Sequence, residues 1–401
     1  MRSMWKLYLA LLVITAADGG LTTIFSPFLE HSKFAYDQIG LIVALLGITQ
    51  LIARLPAGVL YGRAGVKFLL AGFLLLFIVS TAAFAYDGGS RYILFWTIWR
   101  GFAFGGIGTI MLAWAIELNS TSASQGAAMG WYTAALSAGY SIGSFFGGYF
   151  ADTLGFSPTF VIMGVLPLIS LSLMLTMATP LRVGAPQLPA NRSNSARGRE
   201  RWTQWTSALT PNLMLATLIA FYLNFLDDGF GAFFPLFGLS IGLNLTFVGL
   251  LKSIRSLTAT GLRPFAGVIF KHVPMGLLNN VLLVAWAAAV FVIPDLHEPW
   301  ILILLFILIG VCRGLTRVAS ATMIAEERSK NTGGIGVASG LYNAGLDIGA
   351  FLGPLVGGWI ASASDITTMF RIAPTALLVV YLAATLAVTR VQARQAVISN
   401  R

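Results

Sequence analysis

Apolar residues gather in twelve stretches, each about 20 residues or longer, divided by short polar breaks. A helix of that length crosses ~30 Å of hydrocarbon. The stretches, spans 1 to 12, fall near 6–28, 38–61, 67–86, 92–117, 127–150, 157–179, 213–238, 245–270, 276–294, 299–325, 335–361 and 370–389. Most breaks are short, so neighbouring spans are expected to run antiparallel. The break at 181–212 is long, polar and rich in Pro, Ser, Asn and Arg, which reads as a linker. It divides the chain into a six-helix bundle at 1–180 and a second at 213–401. Trp202 and Trp205 suggest a short interfacial helix at the linker's end.

The two bundles share a pattern. Gly130 to Ala151 in span 5 recurs as Gly340 to Ala361 in span 11, at a shift of 210 without a gap. Gly139, Gly143 and Gly147 share one helix face, and Gly349, Gly353 and Gly357 do the same. Small residues at this spacing let membrane helices approach closely. Asp18-Gly19 in span 1 matches Asp228-Gly229 in span 7. Arg54 and Ala57-Gly58-Val59 match Arg263 and Ala266-Gly267-Val268 at a shift of 209, and Arg100-Gly101 matches Arg313-Gly314 at 213. Near-constant shifts over four span pairs point to duplication, the common build of secondary transporters.

Composition narrows the class. The 401 residues are 57% hydrophobic and 10% charged, with mean hydropathy +0.81, too apolar to wet a soluble surface. One cysteine, Cys312, excludes an intramolecular disulfide, and three scattered histidines form no metal set. No metal or other cofactor is expected. A net charge of +10 would suit nucleic acid, but Lys and Arg also collect on cytoplasmic loops of membrane proteins. With a cytoplasmic N-terminus, the inside segments hold fifteen Lys and Arg and the outside segments only three: Lys33, Arg91 and Arg371. Both termini are therefore expected in the cytoplasm, in a multi-pass protein of the cell (inner) membrane. The first span is too long for a cleavable signal peptide.

Three motifs carry a family resemblance over essentially the whole chain. Gly58, Arg63, Gly65 and Lys67 fit the loop between spans 2 and 3 of major facilitator superfamily transporters, although the motif's acidic position is Gly62. Trp99 to Gly108 resembles the span 4 motif of proton-linked members. Gly353 to Gly358, GPLVGG, resembles a drug-antiporter motif, here in span 11, whereas span 5 has Ser144 at the proline position. The resemblance implies an all-α integral membrane protein: twelve transmembrane helices in two pseudo-symmetric six-helix bundles, rocking about a midplane site. It resembles the bacterial proton-linked group of drug and organic-solute antiporters, which favours export over import.

Charges inside the spans need a partner, water or a task. Arg54 and Arg263, near helix ends, are expected to snorkel to lipid phosphates. Five deeper cations, Arg100, Lys252, Arg255, Arg313 and Arg317, face at most four carboxylates: Asp18, Asp227, Asp228 and Asp347. Lys252 and Arg255 have no counterpart in span 2, where Val43 and Leu46 stand. The imbalance makes Lys252, Arg255, Arg313 and Arg317 candidates for binding an anionic substrate. The competing expectation is internal pairing, for instance of Asp347 with Arg313 or Arg317. Tyr132 and Tyr342, paired across the repeat, are candidate cavity residues. Asp18 and Asp228 are candidates for proton coupling, with Arg100 tuning a nearby carboxylate. The expected partners are a small molecule, protons and lipids, with no nucleic acid, and a monomer is expected. The function expected is proton-coupled transport of a small organic anion, zwitterion or acidic amphipathic compound. A polyspecific antiporter of cationic or neutral lipophilic compounds is the alternative. A receptor or enzyme is remote, because no nucleophile–base pair or nucleotide loop is present.

Overall fold

The structure, a computed structural model, describes residues 2–61, 65–86, 92–118, 125–177, 210–273, 275–330 and 335–399. Residues 178–209, which hold nearly all of the expected linker with Trp202 and Trp205, lie outside the described residues, as does Arg63. Every expected span is helical. Spans 1 to 5 are α1 (Arg2–His31), α2 (Tyr36–Tyr61), α3 (Val66–Tyr86), α4 (Ile93–Leu118) and α5 (Gln125–Leu154). Span 6 is divided into α6 (Phe156–Val165) and α7 (Pro167–Leu175), because Pro167 has no N–H to give the preceding turn. Span 7 is α8 (Pro211–Ser240), which starts two residues before the expected boundary. Thr210 caps it, its hydroxyl accepting from the Leu213 N–H at 3.2 Å, with Pro211 at the first helical position.

Span 8 is α9 (Leu245–Leu262), a 3₁₀ turn at Arg263–Phe265 set by Pro264, and α10 (Ala266–His272). Spans 9 to 12 are α11 (Met275–Val292), α12 (Pro299–Lys330), α13 (Ile335–Ala363) and α14 (Ile366–Ser399). Among the described residues ten helices are long and apolar enough to cross a membrane. The two spans outside that set are α5, which spends its length on Gly, Ser and Tyr, and α9, which carries Lys252 and Arg255. Both lie at the seam between the halves, packed against each other. Outward-facing Leu55, Val79, Phe95, Ile169 and Val380 are exposed, an apolar belt suited to acyl chains.

The packing repeats at a shift of six spans. In the first half α1 lies along α5 and α2 along α4, and in the second α8 lies along α13 and α9 along α12. The repeated glycines make the α1–α5 and α8–α13 pairs close. A Cβ at Gly143 would stand 1.9 Å from the Ala16 carbonyl, and one at Gly353 would stand 2.3 Å from the Phe225 carbonyl. Two further seams, α5 with α9 and α2 with α13, join the halves. They are tight at the end of the bundle far from the chain termini. A Cβ at Gly148 would meet the Leu245 carbonyl at 2.0 Å, and one at Gly358 the Tyr36 carbonyl at 2.6 Å. At the termini end, Gly58, Gly130, Gly261 and Gly340 have nothing among the described residues within 4 Å of that position.

Candidate functional site

The charged residues of the spans converge midway along the bundle, where the halves meet. In the first half Gly101 and Gly105 let α4 press against α2, where a Cβ on either would strike Thr49 or Gln50. That approach places Arg100 beside α1. Its Nη2 donates to Asp18 Oδ1 at 2.6 Å, and the Tyr140 hydroxyl donates to Asp18 Oδ2 at 3.3 Å. The guanidinium lies 5.6 Å from the Phe25 ring centre and 5.9 Å from that of Phe77. Arg100 and Asp18 are 2% and 4% exposed, so the pair is dry. A pair this buried is costly to break from one side.

In the second half Gly310 and Gly314 play the corresponding part, letting α12 approach α9 at the Arg255 and Ala259 backbone. Arg313 and Arg255 then converge on Asp227 of α8. Arg255 Nη1 lies 3.0 Å from Asp227 Oδ1, and Arg313 Nη2 lies 2.8 Å from Oδ2. One carboxylate therefore serves two guanidinium groups, and Arg255 Nε has no acceptor. Lys252 reaches the other half, donating to the Thr22 carbonyl of α1 at 2.9 Å. It stays within electrostatic reach of Asp18, Asp227 and Asp228. Arg317, one turn beyond Arg313, has no carboxylate partner among the described residues. Asp228, half-buried, has no ion-pair partner there either, and it lies near Tyr140, Arg313, Arg255 and Arg317.

Two expectations fail here. Arg54 does not turn to lipid: its Nη1 donates to both Asp347 oxygens, at 2.8 and 2.9 Å, across the α2–α13 seam. Asp347 is consequently unavailable to Arg313 and Arg317. The reason is geometric, since the close α2–α13 seam carries Asp347 past Arg54. The other expected site residues are dispersed. Tyr342 shares a hydrogen bond of 3.1 Å with Ser320 of α12. Tyr132 is buried on α5, eight residues or about 12 Å before Tyr140. In the loop motif Lys67 donates to the Leu175 carbonyl of its own half at 3.0 Å. Tyr140 escaped the sequence reading because the matching position is Ala350, so the repeat did not mark it.

A family model of the Major Facilitator Superfamily matches residues 7–339. The chain belongs to the major facilitator superfamily. Relatives in that superfamily are distant. The MFS-type transporter SLC18B1 of Mus musculus is 23% identical over 231 residues, 53% of this chain and 47% of that protein. The chain thus matches about half the length of SLC18B1. An uncharacterised MFS-type transporter of Methanocaldococcus jannaschii is 21% identical, covering 83% of this chain and 84% of its own. Among solved structures, a variant of the nucleoside transporter NupG superposes with TM-score 0.77 at 14% identity, covering 95% of this chain and 99% of that one. A bacterial homolog of the human lysosomal transporter Spinster, inward-facing and occupied, gives 0.75 at 17%, covering 96% of each. At these identities the likeness is one of fold: the superfamily's twelve membrane helices, all α.

Proposed function

We propose that this superfamily member is a secondary transporter of a small organic anion, or a zwitterion with an acidic head, in the cell membrane. The halves 1–180 and 213–401 rock about the mid-bundle charge cluster, tethered by 181–212, with both termini in the cytoplasm. The observation that carries the anion reading is the charge balance where the halves meet. Among the described residues five cations stand there, Asp347 is held by Arg54, and Asp18, Asp227 and Asp228 remain. An incoming carboxylate would relieve buried positive charge and engage the free Arg255 Nε.

With the termini inside, the tight far end faces outward, so this arrangement is closed to the outside and opens toward the cytoplasm. Proton coupling falls most naturally to Asp228, which is free of an ion pair, while Asp18 is held by Arg100 and Tyr140. Export follows the drug-antiporter resemblance.

Uptake and counterflow in proteoliposomes test the reading. Arg255→Gln is expected to cut organic-anion flux at least tenfold. Unchanged flux and affinity would remove the anion site. The unpaired Asp228 favours a second reading, a site for lipophilic cations. Competition by such cations that survives Lys252→Gln but vanishes in Asp228→Asn would establish that reading instead.

A further inference from the structure

The unmatched charges are arranged as well as counted. Arg100 is matched by Asp18. The other four cations lie in a row from the far end toward the termini end: Lys252 and Arg255 on α9, then Arg313 and Arg317 on α12. The row order follows from the register of two helices running the same way: Gly310 of α12 packs on Arg255 and Gly314 on Ala259, so Arg313 and Arg317 lie beyond Arg255. Asp227 sits at the middle of the row, between Arg255 and Arg313. Asp228 stands beside it as the second carboxylate. The centre is therefore ion-paired, whereas the two ends feel these carboxylates only at a distance. At one end Lys252 has only a neutral acceptor, the Thr22 carbonyl. At the other, Arg317 has no carboxylate partner among the described residues. Three residues of α9, an offset of about three between Arg255 and Arg313, and four of α12 separate the backbones of these ends by roughly 15 Å along the helices, a span that two long side chains narrow.

We infer that the transported molecule carries two negative charges on separate groups, as a dicarboxylate does. This rests on the anion reading and sharpens it. One acidic group meets Lys252 and the free Arg255 Nε. The other meets Arg317, whose planar fork can hold a carboxylate bidentately. A monoanion would leave one end of the row uncompensated in a poorly hydrated site. A compact dianion such as a phosphate monoester would place both charges at one end.

The experiment is a thermal-shift titration of the purified full-length protein, since a ligand that binds only the folded state raises its melting temperature. The probes are butyrate, succinate, adipate and methyl phosphate, with lipophilic cations as the control series. Succinate or adipate is expected to half-saturate the shift at a concentration at least tenfold below butyrate and below methyl phosphate. Arg317→Gln is expected to bring the dicarboxylate-to-butyrate ratio below about threefold, and Arg317→Lys to restore it. Each variant's melting temperature without ligand shows that it is folded, and a variant that melts early is replaced by Arg317→Met. Equal binding of butyrate and succinate, with a ratio unmoved by Arg317→Gln, would overturn the two-group inference and leave the anion reading standing. Preference for methyl phosphate would overturn the separation of the charges. Stabilisation by cations alone would sink the anion reading itself.

Discussion

The two seams that join the halves are alike at one end and unlike at the other. At the far end they are copies. Gly40 packs on Pro354 and Gly358, and Gly249 packs on Ser144 and Phe145. Under the shifts of 209 and 210, Gly40 corresponds to Gly249, Pro354 to Ser144, Gly358 to Gly148 and Tyr36 to Leu245. Even the polar clasps correspond. Asp152 of α5 accepts from the Thr246 hydroxyl of α9, and Ser362 of α13 donates to Asp37 of α2. Ser362 stands where Asp152 would, and Thr246 where Asp37 would, so donor and acceptor have changed places.

Toward the termini the copies diverge. The α5–α9 seam is lined by hydroxyls: Ser141 and Ser253 bond each other's carbonyls, and Ser256 bonds that of Ser137. The matching positions on the α2–α13 seam are Phe351, Ala44, Gly47 and Asp347. Arg54 has Asp347, whereas the position matching Asp347 is Ser137, which offers the counterpart Arg263 no carboxylate. The difference teaches that duplication supplied the closing geometry, together with Arg100 and its copy Arg313, and that further charge was added to one side: Lys252 and Arg255 on α9 and Arg317 on α12, where the first half has Val43, Leu46 and Phe104. Hydroxyl-to-carbonyl bonds can be exchanged for water when a seam opens, which suits the seam beside the charge row.

The largest test of the likeness is steric. Gly148→Leu and Gly358→Leu each drive a side chain into the backbone of the other half. Overpacking of this kind costs about 1–3 kcal/mol, and it falls only on the arrangement closed at the far end. Both variants are expected to open that end, and to the same degree. Labelling of Tyr36→Cys by an impermeant maleimide, in a Cys312→Ser background, reads the change. If one substitution opens the far end and the other does not, the seams are not equivalent there.

The clasps come next. Asp152 accepts from the Leu245 N–H at 3.1 Å, the Thr246 N–H at 2.6 Å and the Thr246 hydroxyl at 2.6 Å, and so caps α9 from the opposite half. Removing such a cap costs about 0.5–2 kcal/mol, and a carboxylate is favourable beside a helix N-terminus. Ser362 makes one bond of 3.4 Å to an exposed partner. Asp152→Ala is therefore expected to raise maleimide labelling of Tyr36→Cys several-fold, and Ser362→Ala to leave it within twofold. Equal effects would mean that the exchange of donor and acceptor carries no energetic asymmetry.

The reach of the sequence ends at a definite place. The twelve spans were legible because hydrocarbon thickness fixes helix length. That α5 and α13 each take a close neighbour was legible because a glycine face repeats every four residues, but the neighbours, α1 and α8, were not. Asp227 was legible as one of the few carboxylates inside the spans. Which cation Asp227 would take was not, because Arg255 and Arg313 lie on other helices and no local spacing encodes their meeting. Arg54 with Asp347 was hidden for the same reason. A seam between halves brings together residues nearly 300 apart, and each looks unpaired within its own helix.

That ion pair gives the smallest effect and the sharpest contrast. The Arg54 side chain is 45% exposed and that of Asp347 only 10%. A pair this open is worth about 0–1 kcal/mol after solvent screening. Arg54→Gln and Asp347→Asn are each expected to change the protein's melting temperature little, and the double variant no more than either single one. The charge exchange Arg54→Asp with Asp347→Arg should behave as the native pair does. Arg263→Gln, at the matching position, removes a cation with no ion-pair partner among the described residues, because Ser137 stands where Asp347 stands on the other seam. It is expected to weaken anion binding while leaving the closure of the seam unchanged. If Arg263→Gln instead loosens the α5–α9 seam and leaves anion binding unchanged, the chemistry is not one-sided, and the division between inherited closure and added charge falls with it.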